Sequence, residues 1–393
     1  MTDTADVVVV GGGSTGTSIA WHLARRGAGR VVLLDKDGIA AGATGRSSAI
    51  IRQHYTHETL ARMALYALGI FEHFADIVGG DAGFHRAGFL VLVGPPDRHA
   101  LAANVAMHRR VGIDANLLGP EQVREIEPRA HRSDVGAAAW EPRSGYADPV
   151  LTANSFATAA RALGVEQRIG VVAAGLVVGP SGIEAVETAS GRIATRTVVV
   201  AAGFRSVGLL APLGVELSLR PVRHSIAIVQ RSPGFGASHP VISDRINGSY
   251  YRPEGAELTL IGTTAPFEGV DDPEVEADQA PADDEVAALA GRFWRRFPSE
   301  ESALLRRGYT GVYDCSPDLQ PILGPVREVT GLYVAAGFSG HGFKLSPAIG
   351  ALLSEQLLTG RTSLVDGTLF SPARFAQNRL IRSEHGYSVA TLG

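Results

Sequence analysis

The stretch Asp6-Val7-Val8-Val9-Val10-Gly11-Gly12-Gly13-Ser14-Thr15-Gly16, followed by a helical pattern and then by Val31-Val32-Leu33-Leu34-Asp35, decides the fold. Four successive valines read as a strand buried on both faces, the pattern of a parallel sheet covered by helices. Gly11, Gly13 and Gly16 satisfy G-x-G-x-x-G. The first allows a tight turn, the second close approach of a pyrophosphate, the third close packing of helix on strand. A helix predicted over 14–26 aims its N-terminal N–H groups at that phosphate. Asp35 stands 19 residues after Gly16, where a carboxylate accepts a ribose 2′-hydroxyl and repels a 2′-phosphate, so NADP is disfavoured. Three glycines alone say little. Strand, glycines, helix, strand and acid in this order define a dinucleotide site.

A chain of 393 residues, 45% hydrophobic and 19% charged, exceeds one ordinary domain and implies two. A net charge of −4 gives no basic field for nucleic acid or an anionic membrane. The single cysteine, Cys315, excludes an internal disulfide and fits a reducing compartment. No apolar run approaches the ~20 residues of a membrane span, and the first residues lack a signal-peptide pattern. The expectation is a soluble, cytoplasmic protein of α/β (α+β) class, with a Rossmann-type domain and a second, antiparallel-sheet domain.

Outward from the fingerprint, residues 38–48 form a small-residue loop carrying Thr44, Gly45, Arg46, Ser47 and Ser48, suited to phosphate and ring contacts. Thr56 is expected to cap a helix to about residue 78, and 88–93 reads as a strand. Helices are expected near 97–111, 120–127 and 149–163, and strands over 170–178, 182–188 and 191–202. Alternation over 217–229, 248–252, 257–263 and 304–313 implies an antiparallel sheet, with an amphipathic helix over 283–297. A buried strand over 331–336 leads into Gly337-Phe338-Ser339-Gly340-His341-Gly342-Phe343-Lys344. Ser346 and Pro347 read as N-cap and first residue of a last helix ending at Gly360.

Together these motifs resemble the D-amino-acid-oxidase family of FAD enzymes, over nearly the whole chain. The likeness is nearest to the sarcosine oxidases, the monomeric enzyme and the beta subunit. It rests on the fingerprint, Gly45-Arg46-Ser47-Ser48 leading to Arg52, residues 145–149, Ala201-Ala202-Gly203, residues 311–321, and above all Phe338 to Lys344. The resemblance implies FAD, held non-covalently. It places the adenosine end on Gly11, Gly13, Ser14, Thr15, Gly16, Asp35 and Lys36, with Val171, Ala202 and Gly203 beside them. The reacting ring would lie between the Arg46–Arg52 segment and the loop of Gly337, Phe338, Ser339, Gly340, His341, Gly342, Phe343 and Lys344, with Thr44, Gly45, Arg46, Ser47 and Ser48 also among the cofactor contacts. It implies a discontinuous cofactor domain (1–85, 145–215 and 320–393) and a substrate domain (86–144 and 216–319).

By the same resemblance Arg52 and Lys344 clamp a substrate carboxylate, and Tyr313 and Tyr250 line the pocket. His54 and Tyr55 either face it or pack. A lysine that the relatives use in oxygen activation falls on Thr259, which leaves O₂ or another acceptor open. The cysteine that tethers flavin falls on Gly311, and Cys315 does not replace it. The implied reaction is oxidation of a small amino acid or N-methyl amino acid, with no metal and with no nucleic-acid or membrane partner. An amine or hydroxy-acid dehydrogenase, an NAD-dependent dehydrogenase and a catalytically silent FAD-binding assembly factor are the alternatives. Scattered histidines argue against a metal enzyme, and His341 replaces the closing glycine a G-x-S-x-G hydrolase needs.

Overall fold

A computed structural model describes residues 3–264 and 280–388. The valines of Val7–Val10 sit at the centre of a six-stranded sheet and are all buried. Its order is Ile322–Pro325, Leu332–Ala336, Val198–Val200, Val7–Val10, Val31–Asp35, Glu166–Ile169, parallel except for the first pairing. Helices Ser14–Arg25 and Gly342–Thr359 pack on one face, and Leu176, Ile183, Val186 and Ile193 cover the other, which is why the central strands are apolar on both sides. Their approach is close. A Cβ on Gly350 would meet the Ser18 hydroxyl at 2.3 Å, and that hydroxyl donates to the Ser346 carbonyl at 2.8 Å.

The second sheet has eight strands, in the order Leu304–Cys315, Arg220–Gln230, Leu258–Thr263, Ser249–Glu254, Val241–Asp244, Phe89–Val93, Ala137–Glu141, Asn116–Leu118. It is antiparallel except where Val241–Asp244 runs parallel to Phe89–Val93. Alternation divides its faces. Leu90, Ile242, Tyr251 and Ile261 pack under helix Asp283–Arg296, whereas Ile226, Ile228 and Leu260 look the other way. The expected meander is present as Ala173–Gly179, Gly182–Thr188 and Gly191–Ala194. A break at residues 195–197 separates its last strand from the buried Val198–Val200, so 191–202 is not one strand.

Three local expectations are corrected. The last helix begins at Gly342, with His341 as N-cap, so Ser346 is not its cap and Pro347 lies inside it. Pro347 removes one N–H bond to the Phe343 carbonyl, a cost of roughly 3 kcal/mol that burial of the whole stretch 342–354 offsets. The helix after Arg52 is capped by His57, whose ring accepts from the Thr59 N–H at 3.2 Å, and not by Thr56. That helix stops at Glu72 and a separate turn, Phe74–Ile77, follows.

Candidate active site

The fingerprint turn has the geometry its glycines predict. Gly11 has φ +116°, and a Cβ there would meet the Ala201 carbonyl oxygen at 2.3 Å. A Cβ on Gly16 would meet the Gly11 carbonyl at 1.9 Å, so no side chain fits at that position. Helix Ser14–Arg25 starts at Gly13 without a side-chain cap, and its first turn points out of the sheet end with Thr15 and Ser14. Thr44 docks onto it, its hydroxyl accepting from Ser14 N–H at 3.0 Å. Asp35 accepts from the Gly12, Asp37 and Gly38 N–H groups at 2.6, 2.8 and 2.9 Å and keeps lone pairs for a diol. Val171 donates its N–H to the Asp35 carbonyl at 2.9 Å, which sets it beside the acid, with Ala202 and Gly203 across the turn. Lys36 is half exposed and paired with Asp37. These residues frame a glycine turn at a helix N-terminus, the kind of place where backbone N–H groups hold a phosphate.

Three residues past Thr44, a cavity lies between the 38–48 loop, the inner face of the eight-stranded sheet and the start of the last helix. Ser47, Ser48, Arg52, Tyr250, Tyr313, Gly340, Phe343 and Lys344 all line it. The loop before the helix is rigidly held. The Asp314 carboxylate accepts from Gly337 N–H at 2.7 Å and Phe338 N–H at 3.2 Å, and its carbonyl from Ser339 N–H at 3.1 Å. Burial lifts the Asp314 carboxyl to about 6 against those hydrogen bonds. Ser339 takes φ +49°, and a Cβ on Gly340 would strike the Tyr313 ring at 2.6 Å. Gly45 is equally obliged, since a Cβ there would meet the Ala40 carbonyl at 2.6 Å. Helix Gly342–Thr359 opens without a side-chain cap, and Phe343 and Lys344 of its first turn line the cavity, which puts its positive end there.

Lys344 is 7% exposed and makes no hydrogen bond or ion pair among the described residues. Burial, and then Arg52, push its ammonium well below the ordinary lysine range. The Arg52 guanidinium lies over the Tyr55 ring at 4.6 Å and donates to the His54 carbonyl. Tyr250 and Tyr313 flank His224, with ring centroids 6.4 and 4.6 Å away. Burial raises both phenols, so they stay protonated donors.

Two residues are not where the sequence put them. Thr259 lies on the far face of its strand, accepting from Arg231 at 3.1 Å and bonded to His239 at 2.8 Å, under helix Asp283–Arg296. Period-two alternation sends Leu260 toward the cavity instead, so Thr259 is withdrawn from the site. The His341 ring also turns inward, its Nε2 2.9 Å from the Leu319 carbonyl and its Nδ1 3.3 Å from the Tyr55 hydroxyl. It braces the loop.

The fold adds residues that the sequence did not single out. Arg245 and Ser243 line the cavity from the strand Val241–Asp244 and its end, and Thr264 from the end of Leu258–Thr263. Tyr387, near the end of the described chain, lies under the Arg245 guanidinium at 4.0 Å and bonds His54 Nε2 at 2.7 Å. Behind Arg52, His54, His108 and Glu141 converge with one ligand atom each within 4.8 Å of the others. Burial lifts the Glu141 carboxyl to about 7, lowers His108 to about 4 and holds His54 well below its ordinary value. Val241–Asp244 is only four residues long, too short for its alternation to register, which is why it and Arg245 escape sequence reading.

Residues 6–356 match the family described as DAO, FAD dependent oxidoreductase, and the chain belongs to that family. It is 27% identical over 378 residues to mitochondrial dimethylglycine dehydrogenase of Rattus norvegicus, covering 91% of this chain and 43% of that protein. It is 28% identical to the 4-methylaminobutanoate oxidase (formaldehyde-forming) of Paenarthrobacter nicotinovorans, covering 95% of this chain and 46% of that one. The chain thus spans less than half the length of these curated relatives. Among solved structures, L-proline dehydrogenase from P. horikoshii superposes with TM-score 0.88 at 27% identity, covering 97% of this chain and 100% of that one. The family's description names FAD as its cofactor. The glycine turn at Gly11 to Gly16 and the uncapped helix start at Gly342 fit the two ends of that cofactor.

Proposed function

We propose that this chain oxidises the C–N bond of a small carboxylated amine, an amino acid or N-methyl amino acid. The six-stranded-sheet half, 1–85, 145–215 and 320–393, acts as the cofactor domain, and 86–144 with 216–319 as the substrate domain. FAD, held by Gly11 to Gly16 and Asp35 at one end and by Gly337 to Lys344 at the other, would supply a two-electron acceptor for the C–H beside nitrogen, so that the amine becomes an imine that water hydrolyses.

The observation that carries this reading is the shared cavity of Arg52 and Lys344. Its described lining contains no acidic side chain. Arg52 offers a planar fork and Lys344 a point charge, and together they hold one carboxylate. The same cations lower the pKa of a bound amine toward the neutral form that reacts. Tyr250 and Tyr313 stay protonated and donate to the carboxylate or close the pocket. The helix terminus at Gly342 and Lys344 stabilise the negative charge that builds on the ring.

The names of the relatives favour N-substituted substrates. Dimethylglycine, 4-methylaminobutanoate and proline all carry a carboxylate and a secondary or tertiary amine. The acceptor is open, but an acceptor other than O₂ has one specific support. No lysine occurs between Lys36 and Lys344, so neither face of Leu258–Thr263 carries the residue that relatives use with oxygen. FAD is read as non-covalent, because Gly311 offers no thiol and Cys315 is buried four residues on.

The test is anaerobic titration of the FAD-loaded protein with sarcosine, dimethylglycine, 4-methylaminobutanoate, proline, glycine and D-alanine, followed by flavin bleaching near ~450 nm. Bleaching by one or more of these supports the reading. A flavin that none of these, nor any further carboxylated amine, reduces would overturn it.

A further inference from the structure

Resting on that reading, we propose that the cavity holds a second anion subsite built on Arg245, and that the preferred substrate is an amine carrying two carboxylates. Three cations, Arg52, Arg245 and Lys344, line one cavity that has no acidic residue in its described lining. One carboxylate held by Arg52 and Lys344 leaves the third charge uncompensated.

Arg245 is placed to meet a ligand. It follows Val241–Asp244, on the face that Ser243 presents to the cavity, while Ile242 points to the opposite core. Its neighbour Asp244 is not available to it, because Arg296 takes both oxygens of that carboxylate at 2.8 and 3.0 Å. The acid nearest in influence, Asp97, is engaged by the Ser388 N–H and hydroxyl at 2.7 and 2.9 Å. The guanidinium makes no hydrogen bond or ion pair among the described residues, and its buried Nε has no partner. Its one recorded neighbour is the Tyr387 ring at 4.0 Å, a face contact that leaves the edge N–H groups free to fork onto a carboxylate.

The cavity supplies further donors for that group. Ser243 and Thr264, like Arg245 from the eight-stranded sheet or its strand ends, also line it, and each carries a hydroxyl. Gly340 and Phe343 come from the loop and helix where the cofactor ring is read to lie, whereas the subsite is built on the sheet. A substrate bridging it presents its nitrogen between two carboxylates, as in an N-carboxymethyl amino acid or an N-methyl dicarboxylic amino acid. An unfilled arginine cavity costs desolvation that the protein does not itself offset, and an anionic ligand offsets it.

The experiment uses the FAD-loaded protein and its Arg245→Met and Arg245→Lys variants. Binding of thiodiacetate and of (methylthio)acetate, thioethers that stand in for a di- and a monocarboxylated amine, is followed by flavin difference spectra. Turnover is compared for N-(carboxymethyl)glycine, N-methylaspartate and sarcosine. In the parent, the dicarboxylates are expected to bind and react at least tenfold better. Arg245→Met should weaken thiodiacetate by 10- to 100-fold and (methylthio)acetate by less than about threefold, with Arg245→Lys between. Equal losses for both thioethers, or a parent preference for the monocarboxylates, would overturn the subsite. Thioether binding without bleaching by any amine would leave the subsite standing and sink the oxidation instead.

Discussion

The Ser48 hydroxyl lies 2.7 Å from the Tyr250 hydroxyl, a bond that ties the 38–48 loop to the inner face of the eight-stranded sheet. Residues 202 positions apart thus set the width of the cavity between the nucleotide turn and the substrate sheet. Tyr250→Phe removes this bond and leaves Ser48 to water. The expected loss is about 1 kcal/mol of stability, seen as a lower urea midpoint at unchanged slope. An unchanged midpoint would mean that the bond does not couple the two layers.

Arg52→Met removes a fork but keeps the bulk of the side chain over Tyr55. KM for carboxylated amines should rise roughly 10- to 100-fold, the equivalent of a charge-assisted hydrogen-bonded contact. The amide of the same amine should be nearly unaffected. If acid and amide lose equally, Arg52 does not hold the carboxylate.

Lys344 is a buried cation whose folded pKa is pushed below the ordinary 10.5. A base shifted this way contributes stability that is present above its unfolded pKa and lost as pH falls through the folded one. Lys344→Met should therefore raise the melting temperature of the cofactor-free protein, more at neutral pH than near 10.5. In the loaded protein the same change should slow anaerobic flavin reduction. A wild-type bleaching rate would count against any role at the ring.

Glu141 runs the opposite way. Its carboxyl is raised from 4.5 to about 7, first by burial, so it contributes stability below about 4.5 that fades as pH rises to about 7. His54 and His108, both lowered by burial, slope against it in the same window. The difference between the parent and Glu141→Gln isolates the carboxyl. It should grow in favour of the glutamine by up to about 3 kcal/mol between about pH 4.5 and pH 8. A flat difference would place the proton elsewhere in the cluster.

Asp314→Ala should loosen the loop that Gly337 and Phe338 form, since both N–H groups end on that carboxylate. FAD affinity is expected to fall roughly tenfold, measured by fluorescence recovery on dilution. Retention of full affinity would show that Ser339 and the His341 brace hold the loop without it.

The two ends of the site differ in how they could be read. The fingerprint, Asp35 and the helix between them are contiguous, so local spacing places them, and the structure returns the turn those residues imply. Lys344 stands out by composition as well, as one of two lysines in a chain that otherwise uses arginine. Thr259 shows where spacing fails. A shift of one residue along a strand reverses the face, and the register of Leu258–Thr263 is set by Ser249–Glu254 and Arg220–Gln230, not by its own six residues.

The sequence by itself determined the dinucleotide turn, the class of sheet and the glycine-rich loop at Gly337 to Lys344, while Arg52 and Lys344 were singled out by the family resemblance. The first three rest on short-range constraints, where a missing Cβ or a buried valine run has few structural meanings. Only the tertiary structure decided that Arg245 joins that pair, that Tyr387 returns to cover it, and that Thr259 and the His341 ring face away. Those depend on pairings between segments far apart in the chain, whose faces and partners no local pattern encodes.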